Sequence, residues 1–148
     1  MALLRDRPYP SSHFLVDFGD GNAWAVSGGF SEVIFPEFVI TSGKRAPRAP
    51  TPPTDSIVER QRTHLILKRG AIGSLDLYDW WNKTRTGKAA KRRMLKVHLL
   101  GDDQHTVVMS WHFTNVRPVA LAYSPLRAVE TGVLIETLEV AFDRMEME

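Results

Sequence analysis

From His13 to Phe18 the chain alternates, with Phe14, Val16 and Phe18 on one face, and this period of two predicts a β-strand. "GDGN" at Gly19–Asn22 reads as a turn, and Ala23–Phe30 as the returning arm of a hairpin, with Gly28 and Gly29 at a bulge or bend. Ser31–Ile40 stays β-like in composition but is broken by Pro36. Gln61–Lys68 alternates again: Thr63, Leu65 and Leu67 face one way, while Arg60, Arg62, His64 and Lys68 face the other with only Ile66 among them. Met94–Leu100 and Thr106–Phe113 predict a second hairpin around "GDDQ", with Val107, Met109, Trp111 and Phe113 on one face and Thr106, Ser110 and His112 on the other. "NVRPVALAY" adds a strand around Pro118, and Val133–Phe142 is expected to be the last long one.

One segment changes period. "LDLYDWWNK" sets Asp76, Asp79 and Lys83 on one narrow side at roughly 100° per residue, which predicts a helix over roughly 74–85. Ser74 is placed to cap it, Asp76 complements the positive end of its dipole, Asp79 and Lys83 form an i,i+4 pair, and Gly87 lies just past the last turn. Leu75, Leu77, Tyr78, Trp80 and Trp81 fill most of the remaining circumference, wider than the stripe of about 100° that one sheet covers. The helix is therefore expected to pack on its own sheet and to meet something else as well. About seven strands with one helix and hairpin-spaced turns predict a mainly β protein, an antiparallel barrel or sandwich with one helix attached.

Between the second and third strand signals, "TSGKRAPRAPTPPTD" holds four of the nine prolines, which predicts an exposed Pro-rich loop over 41–57. It is too short to join two domains, because the residues before it cannot build a core alone, so 1–148 is expected to be a single domain. Hydrophobic residues at 43% and charged residues at 24% exclude a disordered chain. A net charge of +2 does not mark a nucleic-acid binder, and without cysteine there is neither thiol catalysis nor a Cys-bound metal. Arg5, Asp6 and Arg7 interrupt the first apolar run, so no signal peptide is expected, and no stretch has the length of a transmembrane helix. The expectation is a protein made in the cytoplasm.

Catalytic motifs fail on inspection. "GFSEV" at Gly29–Val33 approaches a nucleophile elbow but ends in Val33 and follows a hairpin. "TGKAA" at Thr86–Ala90 lacks the first glycine of a P-loop and has Ala89 where a hydroxyl must touch magnesium. His98 and His112 are placed to share a face of neighbouring strands, as an exposed pair without a third ligand. Asp76 with Asp79 is explained by helix charge, and Asp102 with Asp103 by a turn. No catalytic residue, cofactor or metal is expected. Charge is more informative: Lys83, Arg85, Lys88, Lys91, Arg92 and Arg93 run without an acid, while Glu130, Glu136, Glu139, Asp143, Glu146 and Glu148 dominate the C-terminal segment. Opposite patches on one chain suit head-to-tail self-association. An alternative reading is a nucleic-acid-binding β-barrel that uses the basic 60–68 and 83–93 surfaces.

Four motifs in order, "VSGGFSEV" (Val26–Val33), "LKRGAIGSLDLYDWWN" (Leu67–Asn82), "FTNVRPV" (Phe113–Val119) and "ETLEVAFDRMEM" (Glu136–Met147), resemble the tail-tube protein family of contractile phages and phage-like contractile injection systems. The resemblance runs nearly end to end. It implies a structural protein without catalysis, in which hexameric rings stack into a hollow inner tube inside a contractile sheath. Baseplate and spike proteins, a tube-terminating cap, and protein or DNA cargo in the lumen are the implied partners. It further implies a phage-tail-like particle or virion tail as the location, cytoplasmic or released extracellularly. Thr41–Asp55 departs from the family, whose loop there is charged and poor in proline and contributes to ring contacts. Combining the resemblance with the charge pattern, the expected assembly interface comprises Tyr78, Trp80, Trp81, Lys88, Arg92, Arg93, Glu139, Asp143 and Glu146, with Trp81 mainly in the core and the basic run meeting acidic residues of a neighbour.

Overall fold

The computed structural model describes residues 2–19, 29–40, 63–87 and 93–148. Among them lie seven strands and one helix: β1 (Phe14–Asp17), β2 (Glu32–Ile34), β3 (Leu65–Gly70), α1 (Asp76–Arg85), β4 (Arg93–Leu100), β5 (Val107–Tyr123), β6 (Ile135–Ala141) and β7 (Arg144–Met147). The expected hairpin arm Ala23–Phe30 falls mostly outside the described residues, as do Gly28, the Pro-rich loop, Arg60 and Arg62, and the basic positions Lys88, Lys91 and Arg92.

All pairing is antiparallel, in the order β1-β4-β5-β6-β3-β2, with β7 on the other side of β5. β5 makes the architecture. Its first half pairs with β4 and β7, and its second half with β6, so one strand belongs to two sheets. We call β1-β4-β5-β7 sheet A and β5-β6-β3-β2 sheet B. The sequence suggested two strands here, one ending at Phe113 and one around Pro118; the structure joins them. Asn115 takes a φ of 54°, a left-handed conformation that asparagine tolerates, and the register with β6 slips between Pro118 and Ala120. A proline without an N–H is accommodated at such an irregularity, and the strand bends there without ending.

The core lies between the two sheets. Val16, Leu95, Val97, Phe113 and Val116 of sheet A meet Leu65, Leu67, Leu138 and Val140 of sheet B, nearly all of them fully buried. Each such side chain stabilises the fold by about 1.5–3 kcal/mol through its removal from water. Met145 of β7 and Phe142 pack against this cluster, and the Phe142 ring meets Phe113 edge-on at 4.9 Å. β7 itself was not expected: the last predicted strand ended at Phe142, yet the chain turns at Asp143 and returns along β5.

The helix connects sheet B to sheet A. It begins at Asp76, and Leu75, not Ser74, holds the cap position. Ser74 acts one residue earlier, where its hydroxyl donates to Asp76 Oδ1 at 2.8 Å. Gly87 ends the helix at a φ of +72°, as the glycine there suggested. At the opposite end of β4, the N-terminal arm is tied to the turn before β5, with Arg5 Nη1 2.8 Å and Arg7 Nη2 3.2 Å from Asp102 Oδ2.

Candidate assembly surface

The helix orients two tryptophans oppositely, and the reverse of what the sequence suggested. Trp80 was assigned to assembly as well as folding, yet it is 4% exposed, inside the core, with its ring edge-on to Phe18 at 6.0 Å. Trp81, expected mainly in the core, is half-buried and lies against exposed Tyr78, ring centroids 6.2 Å apart. The cause is rotational: Leu77 and Trp80, three residues apart, point to the sheets, which turns the next residue away from them. Trp80 therefore has almost no surface to offer a partner.

What remains outside is a stripe. Ile72 and Leu75, 56% and 64% exposed, continue through Tyr78 to Trp81 at intervals of three residues. The Arg85 guanidinium sits 5.4 Å from the Trp81 ring centroid and closes the stripe at the helix C-terminus. Exposed apolar side chains on the helix and in the residues leading into it are costly in water, and their grouping in one segment marks a contact surface. A second apolar group stands on the β5–β6 loop, where Leu126, Val129 and Val133 are largely exposed.

The expected charged members of the interface have partners within the chain. Glu139 Oε1 lies 3.0 Å from His64 Nδ1 and accepts from it in the Nδ1–H form of the imidazole, and Glu139 is largely buried on the outer side of sheet B. Asp143 takes Arg117 at 2.9 Å and Asn115 at 3.1 Å, which holds the turn before β7. Glu146 pairs with Arg144 at 2.6 Å on the same strand. The Arg93 guanidinium lies 5.1 Å from the Trp80 ring centroid and so covers the core tryptophan. Lys88 and Arg92 lie outside the described residues. Of the basic face of the third strand, Lys68 stands 3.9 Å from Glu32 and His64 is engaged by Glu139, so both described members face a carboxylate of their own chain.

The helix is held by a cluster that sequence reasoning missed. Arg69, 1% exposed, donates from Nε to Glu136 Oε1 at 2.7 Å and from Nη2 to Asp76 Oδ1 at 2.6 Å. Tyr123 donates its hydroxyl to Glu136 Oε2 at 2.6 Å. Burial alone would raise the Asp76 pKa, but hydrogen bonds from Arg69 and Ser74 and the Arg69 charge outweigh it and hold the carboxyl below its ordinary range. The signal was present in the alternation: Arg69 follows Leu65 and Leu67 at intervals of two, on the core face. Among the described residues there is no group of three or more His, Asp or Glu able to hold a metal ion.

A family model described as T4-like virus tail tube protein gp19 matches residues 10–146. Solved structures share the fold. A chain of the PVC sheath–tube complex of an extracellular contractile injection system, extended state, aligns at TM-score 0.67 and 19% identity, over 95% of this chain and 91% of its own. The tube-terminating cap of the anti-feeding prophage aligns at 0.68 and 17%, over 100% and 95%. A chain of the anti-feeding prophage baseplate aligns at 0.63 and 19%, over 97% of each. Curated protein sequences return no match.

Proposed function

The chain belongs to the T4-like virus tail tube protein gp19 family, and on that premise we propose that its copies close into six-membered rings that stack as the inner tube of a contractile injection system or contractile phage tail. The tube is a conduit that carries cargo, protein or DNA, across a target envelope. A contractile sheath surrounds it, a baseplate and spike lie at one end and a terminating cap at the other. The subunit catalyses nothing; its work is mechanical, and the particle is the place where it acts.

The observation that carries the reading is the family match over 10–146, almost the whole chain. Two features of the fold support it. Among the described residues no strand pairs with β7 on the side away from β5, so within them β7 is an edge of sheet A that a neighbour's strand could extend. The stripe Ile72, Leu75, Tyr78 and Trp81 is a second surface that a neighbour would cover. Ring closure satisfies both.

Negative-stain microscopy and sedimentation of the purified protein test this. Tubes or six-membered rings are the expected result. A protein that stays monomeric at high concentration and is missing from isolated tubular particles overturns it.

A further inference from the structure

Beyond β2 the chain carries a strand-forming segment that the fold leaves unpaired. Phe38, Val39 and Ile40 are an aromatic and two β-branched residues in succession, a composition that favours strands. Pro36, which has no N–H, separates them from β2, and the backbone over 35–40 forms neither strand nor turn. All three side chains are exposed, Ile40 at 96%, and among the described residues they are the only run of three large exposed hydrophobic side chains. Within the described residues none of their backbone groups is hydrogen-bonded. Such a segment standing in water is a template for pairing with another chain.

β7 is the matching half. Among the described residues the pairing ends at three strands, β1, β2 and β7. β7 is the least covered of them: three of its four residues are exposed, against none in β1 and one in β2. Its core side carries Met145, which packs against the core, and Met147, which stands opposite Trp111 yet is 45% exposed. Its outer side carries Arg144 and Glu146, paired with each other at 2.6 Å. Two apolar side chains two residues apart thus line the core side of this edge, and the second is half uncovered.

We propose that residues 38–40 of one copy add to β7 of a second copy as a further strand of sheet A. Phe38 and Ile40 lie on the core side beside Met145 and Met147, and Val39 on the outer side beside Glu146. This contact rests on the tube reading above, whose free β7 edge it fills. Side chains two apart in a strand share a face, so the apolar pair of the donor matches the apolar pair of the edge. A slip by one residue would set Phe38 and Ile40 against Arg144 and Glu146, and burial selects against it. Pairing satisfies backbone groups of both segments and removes Phe38, Ile40 and the exposed part of Met147 from water. Donor and acceptor are different surfaces of one chain, so each copy gives a strand and takes one, a head-to-tail contact.

The chain has no cysteine, so the variant Ile40→Cys/Met147→Cys carries only the two thiols introduced. Its tubes are treated with a bismaleimide of about 10 Å reach, which tolerates a slip of two residues, about 7 Å of strand. A denaturing gel should show a ladder of cross-linked dimers, trimers and larger products, while each single-cysteine variant stops at the dimer. Tube growth should slow by roughly tenfold in Phe38→Thr/Ile40→Thr and stay within about twofold in Val39→Thr, since threonine keeps the strand preference and removes apolar burial. The urea midpoint of the subunit should be the same in all of these, because the three side chains are exposed. Cross-links confined to a single chain, no ladder from assembled tubes, or equal growth of the two threonine variants overturns this contact and leaves the tube reading intact. Absence of tubes from the wild-type chain overturns the tube reading, and the contact with it.

Discussion

Arg69 and Glu136 stand directly opposite one another in the β3–β6 register, Nε to Oε1 at 2.7 Å, and both are buried in the core, 1% and 3% exposed. Two charges are thus taken out of water between apolar layers. Such a pair is stable only because each group is otherwise satisfied, Arg69 by Asp76 and Glu136 by Tyr123. The cluster joins the start of the helix to the far end of β5 and so fixes how the helix lies on the sheets.

Arg69→Met should destabilise the subunit by about 3–5 kcal/mol, because it leaves a buried carboxylate without its counter-ion. The double variant Arg69→Met/Glu136→Leu should recover most of that loss. Urea denaturation of the wild type, these two variants and the single variant Glu136→Leu measures it; a cost of Arg69→Met below about 1 kcal/mol would count against the cluster as the helix anchor.

Acid should loosen the same anchor. The Asp76 pKa is lowered in the folded protein from an ordinary 3.8, so the folded state prefers the carboxylate. Its contribution is therefore complete above the unfolded value and is lost as the pH falls through the lower folded value. Melting temperatures recorded downward from neutral pH should hold until about pH 4 and then fall, and Asp76→Asn should flatten that part of the curve.

Tyr123 should titrate late. Its hydrogen bond to Glu136, with burial and the Glu136 charge added, raises its pKa to about 12. In an ultraviolet pH titration one tyrosine should ionise near that value, and Glu136→Gln should bring it back toward 10.0. A late tyrosine that persists in the Gln variant would place the cause elsewhere.

The two helix tryptophans should separate folding from assembly. Trp80→Ala removes a core side chain and should cost the subunit about 3–5 kcal/mol. Trp80→Phe should cost much less, since the indole nitrogen has no hydrogen-bond partner among the described residues. Trp81→Ala should leave the denaturation midpoint of the subunit nearly unchanged and reduce tube growth under the microscope. The reverse ranking would return Trp81 to the core.

Much of this fold was legible in the sequence, because alternation and helical period are local. The strands at Phe14–Asp17, Leu65–Gly70, Arg93–Leu100 and Ile135–Ala141, and the helix ending before Gly87, follow from residues within a few positions of one another. His98 and His112 on one face follow from hairpin register for the same reason. β7 was legible in principle, since Met145 and Met147 alternate with Arg144, Glu146 and Glu148, but its four residues are too few to stand out from the preceding strand.

The sequence by itself determined the periods, the helix, the polar and apolar faces of each strand, and the resemblance carried by four ordered motifs. Only the tertiary structure decided that β5 serves two sheets, that Trp80 and not Trp81 fills the core, and that Arg69 meets Glu136 sixty-seven positions away. The physical reason is one of range. Backbone preference and amphipathicity act between neighbours in the chain, whereas the rotation of a wide apolar helix and the pairing of a buried charge are settled by whichever distant surface removes them from water.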